Sequence, residues 1–213
     1  MKEFDEILEL LKRLHGPGGC PWDQSQNFWT LQPYLLEEAH EVIDAVDEKD
    51  DLRTLSELGD LLYTILFFAK IAEKERRFGI QAILQSIKEK VVRRHPHVFG
   101  GKEISIEEVI KRWEELKMEE KEHEKRESLL DGIPKQMHSL LRAQKMLGKM
   151  RRAHPALFSL EKDAKALTEQ EIGKGLIEMI LKADAEGVDV EGALRRALAP
   201  FEEAFRLWEK EKH

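Results

Sequence analysis

The sequence predicts an all-α protein, and three observations carry that prediction. Apolar residues recur every three or four positions through most of the 213 residues. Helix breakers are sparse: 13 Gly and 7 Pro fall mostly between those periodic stretches. Charged residues make up 36% of the chain and aromatics 7%, which suits amphipathic helices better than half-buried strands. The formal net charge of −7 argues against a nucleic-acid polymer as partner, because such binders need a basic surface. Cys20 is the single cysteine and cannot form an internal disulfide, as expected in a reducing cytoplasm. The acidic, amphipathic start of the chain does not read as a secretion signal. The longest apolar run, Leu61 to Ala69, falls short of the roughly 20 residues a membrane span needs. A cytoplasmic protein with no membrane partner is expected.

Phe4, Ile7, Leu8, Leu11 and Leu14 define a first helix, which His15-Gly16-Pro17-Gly18-Gly19 ends. Cys20-Pro21-Trp22-Asp23 then reads as an ordered loop. Trp22 there either plugs the end of a bundle or offers an indole face to a base. Thr30 is the expected N-cap of the second helix, with Pro33 in its first turn and Leu35, Ala39, Val42 and Val46 as its core stripe. Asp47 to Asp51 makes a turn. The third helix runs from about Leu52 to Glu73, and its Leu61–Ala69 segment is apolar nearly all round, so burial on more than one side is expected. Ile80, Ile83, Leu84, Ile87 and Val91 give a fourth helix that stops before Pro96. Ser105 and Glu108 form a capping box for a fifth, which dissolves into the charged run 121–127.

Asp131-Gly132-Ile133-Pro134 is the strongest break in the chain and divides it into 1–127 and 128–213. Beyond it, Leu140, Leu141, Met146, Leu147 and Met150 mark a sixth helix ending near His154-Pro155, and a short helical piece follows Ser159. Thr168 and Glu171 cap a further helix with Ile172, Leu176, Met179, Ile180 and Ala183 inward. A last helix runs from Asp189 past Pro200 to Trp208.

Two carboxylate pairs stand out from this scaffold, Glu38/Glu41 and Glu57/Asp60, with Glu37 beside the first. Residues three apart share a helix face, so adjacent antiparallel helices can aim both pairs into one pocket. Carboxylates crowded in a partly buried site call for a positive partner, and a hard divalent cation bound through oxygen, Mg²⁺ above others, answers that need. A plain solvated helix face fits the spacing too. Glu57 lies in the same row as Leu61, Thr64 and Phe68, which points it toward packed material and favours the cation. Downstream, Lys88, Lys90, Arg93 and Arg94 either complement the dipole at a helix C-terminus or clamp phosphate.

The halves echo each other. Ser56–Leu61 has a counterpart in Gln170–Gly175, and Ile80–Arg94 in Val190–Ala204. In the second copy Lys174 stands for Asp60, Pro200 for Lys90, and Glu203 and Ala204 for Arg93 and Arg94. Glu161 and Asp163 are the nearest acids preceding it. Carboxylates and cations vanish together while the apolar periodicity stays, the pattern of a tandem repeat whose second copy is degenerate.

These residues carry a resemblance. Gly19-Cys20-Pro21-Trp22-Asp23 and Leu31-x-Pro33-Tyr34-Leu35-Leu36-Glu37-Glu38-Ala39-x-Glu41-Val42 resemble the MazG nucleoside triphosphate pyrophosphohydrolases. Glu57-Leu58-Gly59-Asp60-Leu61-Leu62, Arg93-Arg94-His95-Pro96-His97-Val98-Phe99-Gly100, Trp113-Glu114-x-Leu116-Lys117 and Leu130-Asp131-Gly132-Ile133-Pro134-Lys135 extend it. The resemblance implies an all-α homodimer of MazG-like bundles that uses Mg²⁺, with Mn²⁺ as an alternative. The implied reaction cleaves a nucleoside triphosphate between its α- and β-phosphates, in control or cleaning of the nucleotide pool. It makes Glu38, Glu41, Glu57 and Asp60 metal ligands, with Glu37 a further ligand or an orienter of the water. Lys90, Arg93, Arg94 and Lys117 fall at phosphate-binding positions. Lys88 stands where the family commonly has Asn, and Trp22 is the candidate base contact, so both bear on nucleotide preference. The implied organisation is a catalytic domain over 1–127 and a degenerate one over 128–213 that serves structure, dimerisation or regulation.

Two rival readings exist. A di-iron carboxylate bundle uses Glu-x-x-His motifs, and the chain has Glu37-x-x-His40 and Glu120-x-x-His123. The second lies in the charged run with no apolar face. A helical interaction or regulatory module with a vestigial nucleotide site fits the second half but not the first, where both charge sets survive.

Overall fold

The computed structural model describes residues 2–101, 104–106, 108–109, 112–113, 116, 127–154 and 166–212. Among them the regular structure is helical and no strand forms. The chain divides into two compact units, Met1–Ile104 and Ser105–His213.

In the first unit α1 (Lys2–His15) is followed by α2 (Pro21–Ser25), α3 (Phe28–Asp47), α4 (Asp51–Lys74), α5 (Ile80–Arg94) and the single turn α6 (Pro96–Phe99). The long helices α3 and α4 lie along each other, with α1 and α5 against α4. Leu11, Leu31, Leu66, Phe67 and Ile71 form the core, flanked by Phe4, Leu8, Phe28, Tyr63, Phe68 and Ile80. Burying each of the large side chains stabilises the unit by about 1.5–3 kcal/mol before chain entropy is subtracted.

Four details depart from the periodicity alone. The expected loop at Cys20–Asp23 is the helical turn α2, with Pro21 at its first position and Asp23 buried. The chain reaches it by a close approach: the Cys20 amide donates to Leu14 O at 2.9 Å, and a Cβ on Gly19 would lie 2.1 Å from that same oxygen. The N-cap of α3 is Asn27 rather than Thr30. Asn27 Oδ1 accepts from the amides of Trp29 and Thr30, while Thr30 Oγ1 accepts from the Asn27 amide at 2.9 Å. This reciprocal cap starts the helix earlier and leaves Pro33 inside it. The seam of α3 runs through Leu31 and Ala45, with Leu35, Ala39 and Val42 half-buried, whereas Val46 is 54% exposed. In the apolar segment of α4, Thr64, Leu66, Phe67 and Ala69 are buried but Leu62 and Ile65 are exposed.

In the second unit a 3-10 turn over Leu129–Gly132 precedes α7 (Ser139–Ala153), α8 (Glu169–Ala185) and α9 (Val190–Lys212). The stretch expected to part the halves is itself folded: Ser128, Leu130 and Ile133 are buried. Leu130 and Ile133 join Ala143, Met146, Met150, Leu198 and Phe205 in a core between α7 and α9. Carboxylates of α9 finish the ends of its neighbours, with Glu191 Oε1 accepting from the Ser139 amide and Glu209 Oε1 from the Leu129 amide. The seam of α7 is Ser139, Ala143, Met146 and Met150, whereas Leu140 and Leu141, which also mark this helix in the sequence, are exposed. The Thr168–Glu171 capping box opens α8, whose Ile172, Leu176, Met179 and Ile180 stay exposed instead of facing inward. Periodicity states which face of a helix needs cover, not whether the same unit supplies it. The helical piece expected after Ser159, and most of the charged run, lie outside the described residues.

Candidate functional site

The pairing of α3 with α4 brings together carboxylates that are far apart in sequence. Glu38 and Glu41, one helical turn apart on α3, and Glu57 on α4 each offer an oxygen, and the three lie within 4.8 Å of one another. All three residues are half-buried, and the Glu57 side chain is only 17% exposed. Glu57 therefore faces packed material, as its row on the helix requires. Asp60 is exposed, yet its charge reaches Glu38. Burial first, and then the carboxylates of Asp60, Glu41, Glu37 and Glu57, hold the Glu38 carboxyl above its ordinary range.

The donor set suits a hard divalent cation. It consists of carboxylate oxygens, gathered from two helices that the core fixes, close enough for one ion to contact several of them. Its shared negative charge destabilises the cluster without a positive partner. Glu37 is exposed beside this set. His40, the histidine of the first Glu-x-x-His motif, is exposed, its Nδ1 2.7 Å from Leu36 O and outside the cluster, so it does not join these carboxylates in the mixed Glu/His shell of a di-iron bundle. Glu120 and His123 lie outside the described residues.

Arg53, which the motif reading passed over, borders the cluster. Its Nε lies 3.7 Å from Glu57 Oε1, and its Nη1 donates to Glu48 Oε2 at 2.5 Å. The i,i+4 spacing from Arg53 to Glu57 was a signal available in the sequence.

The other candidates occupy different elements. Lys90, Arg93 and Arg94 share a face over the last turns of α5, with Lys90 and Arg94 half-buried and Arg93 exposed. Lys88 is exposed and about 200° away from Lys90 around the helix axis. Lys117 lies outside the described residues. Trp22 on α2 is 48% exposed and meets Tyr34 edge to face at 5.6 Å between centroids and Phe67 at 6.2 Å. It both closes the end of the core and keeps part of its ring accessible. Tyr34 stands one helical turn before Glu38 on α3, so this aromatic group and the acidic cluster share one side of that helix.

Residues 26–99 match the family model for the MazG nucleotide pyrophosphohydrolase domain. That span holds all the acidic candidates and the α5 cations, and leaves out Trp22 and Lys117. A nucleoside triphosphate pyrophosphohydrolase of Escherichia coli K12 is 37% identical over 234 residues, spanning 99% of this chain and 88% of its own length. A nucleoside triphosphate pyrophosphohydrolase/pyrophosphatase MazG of Thermotoga maritima is 34% identical over 223 residues, covering 97% and 86%. The crystal structure of a mazG-related protein from Thermotoga maritima aligns with a TM-score of 0.49 at 32% identity, over 54% of this chain and 99% of that one.

Proposed function

The chain belongs to the MazG family of nucleoside triphosphate pyrophosphohydrolases, and from that premise we propose that it is a Mg²⁺-dependent enzyme of nucleotide-pool control or house-cleaning. Water adds to the α-phosphorus of a nucleoside triphosphate, the bond from that phosphorus to the bridging oxygen breaks, and pyrophosphate leaves with the nucleoside monophosphate as the other product. The observation that carries this reading is the convergence of Glu38, Glu41 and Glu57 from two helices within 4.8 Å.

Glu38, Glu41, Glu57 and Asp60 would hold the cation, Mg²⁺ or Mn²⁺ in its place. When bound, such an ion neutralises phosphate charge and makes water a better nucleophile. Glu37 orients that water or adds a ligand. Lys90, Arg93, Arg94 and Lys117 take up the charge developing on the leaving pyrophosphate. Trp22 contacts the base, and Lys88 tunes which nucleotide is accepted.

In this reading residues 1–127 are the catalytic domain and 128–213 a degenerate second copy with a structural, dimerising or regulatory role. The assembly is a homodimer. The exposed apolar residues Leu36, Ile43, Leu58 and Leu62 on α3 and α4, and those of α8, support an assembly that covers them.

A pyrophosphate-release panel over standard and modified nucleoside triphosphates, with and without Mg²⁺, tests the reaction. Glu38→Gln and Glu41→Gln are each expected to cut turnover by orders of magnitude with helical circular dichroism unchanged. Near wild-type release from both variants would sink the assignment. A fragment of residues 1–127 that still dimerises is expected to keep some activity, and activity confined to a fragment beginning at Asp131 would reverse the division of labour.

A further inference from the structure

Arg53 sits in the first turn of α4, whose N-cap Asp50 accepts from the Arg53 amide at 3.0 Å. A cation there faces the positive end of the helix dipole and needs negative charge nearby. The structure supplies it twice. Glu48, just after the end of α3, holds the guanidinium through a hydrogen bond at 2.5 Å, while Glu57 of the acidic cluster lies 3.7 Å from Nε, beyond hydrogen-bond distance. The guanidinium thus spans the turn between the two cluster-bearing helices and leans toward a cluster carboxylate without closing on it. Asp44 adds a further negative field. The pair lies at the rim of the cluster, with the Arg53 side chain 34% exposed.

We propose that Arg53 is the resident counter-charge of the acidic cluster, restrained by Glu48, and that this competition sets the affinity of the cluster for a divalent cation. The inference rests on the metal-site reading above. Without the cation, the guanidinium offsets part of the repulsion among Glu38, Glu41 and Glu57. When a cation arrives, the same positive charge opposes it. Glu48 draws the guanidinium to its own carboxylate and so keeps Glu57 available. Removing Arg53 and removing Glu48 therefore act in opposite directions, and the effect of removing Glu48 shrinks once Arg53 is gone, which two charges acting on the cation independently do not do.

The test is a direct Mn²⁺ titration of the purified full-length chain without nucleotide, followed by electron paramagnetic resonance of free Mn²⁺, at fixed low ionic strength. Arg53→Met is expected to bind Mn²⁺ on the order of tenfold tighter, the weight of a unit charge a few ångströms from a divalent ion in a water-like dielectric. Arg53→Lys, which keeps the charge, is expected to stay within about threefold of wild type. Glu48→Gln, which frees the guanidinium to close on Glu57, is expected to bind severalfold more weakly, and to lose much less in the Arg53→Met background, where no guanidinium is left to free. Unchanged or weaker binding by a folded Arg53→Met, or unchanged or tighter binding by Glu48→Gln, would overturn the inference. An equal loss from Glu48→Gln with and without Arg53 would overturn it too, and Arg53→Gln serves as the background if Arg53→Met does not fold. Wild-type protein that binds no Mn²⁺, or binding that survives Glu38→Gln intact, would overturn the metal-site reading and this inference with it.

Discussion

Replacing Glu38 by Gln removes one of three carboxylates whose oxygens lie within 4.8 Å of one another. Each ionised pair at that separation repels by about 1 kcal/mol in a water-like dielectric, and by roughly 3 kcal/mol at an effective constant near 20. Glu38 takes part in two such pairs within the triad and also feels Asp60 and Glu37. The amide keeps the shape and removes the charge. In the absence of divalent cations Glu38→Gln is therefore expected to stabilise the first unit by about 2 kcal/mol, after part of the repulsion is discounted for solvent. In a unit of this size each kcal/mol moves the midpoint by about 4–8 °C. Added Mg²⁺ is expected to reverse the order, because wild type gains binding free energy that the variant has lost. Thermal melts in EDTA and in saturating Mg²⁺ read both effects, alongside loss of pyrophosphate release. A variant less stable than wild type in EDTA would show that Glu38 has a stabilising partner rather than repelling neighbours. Equal stabilisation of both proteins by Mg²⁺ would place the cation elsewhere.

Three further outcomes follow from the packing. Asn27→Ala removes the cap of α3 and is expected to cost about 1 kcal/mol in urea denaturation, with Asn27→Ser recovering most of it; no change would mean that Thr30 caps the helix by itself. Phe205 is 1% exposed in the core of the second unit, so Phe205→Ala is expected to cost about 3–5 kcal/mol, read by the same denaturation. Burial pushes the Asp131 and Glu202 carboxyls up, but hydrogen bonds from Arg206 to both, from Arg142 to Glu202 and from backbone amides to Asp131 outweigh it and leave both below their ordinary values. A depressed folded-state value means that the unfolded chain takes up the proton first. Stability is then full above the ordinary values of 3.8 for Asp131 and 4.5 for Glu202 and is lost as pH falls past them through the folded ones. Arg206→Met is expected to flatten that acid limb, as followed by circular dichroism melts from pH 6 downward; an unaltered limb would assign the acid sensitivity to other carboxylates.

What the sequence determined by itself is what short-range physics controls. Helical periodicity placed the helices, the Gly16–Gly19 breaker ended the first, and the Thr168–Glu171 box opened α8, because these signals act within one or two turns of chain. The i,i+3 spacing put Glu38 and Glu41 on one face, and the row of Glu57 pointed it inward, since both follow from 3.6 residues per turn. That Glu57 meets Glu38 and Glu41 was decided only by the packing of α4 on α3, which sets how each helix is rotated about its axis. The same holds for Asn27, chosen as cap over Thr30 by a reciprocal bond pattern that either residue's propensity permits. It holds for Cys20–Asp23, wound into a turn against Leu14 and Phe67. The exposed apolar face of α8 marks the boundary most plainly: its sequence states the need for cover, and tertiary structure alone decides where the cover comes from.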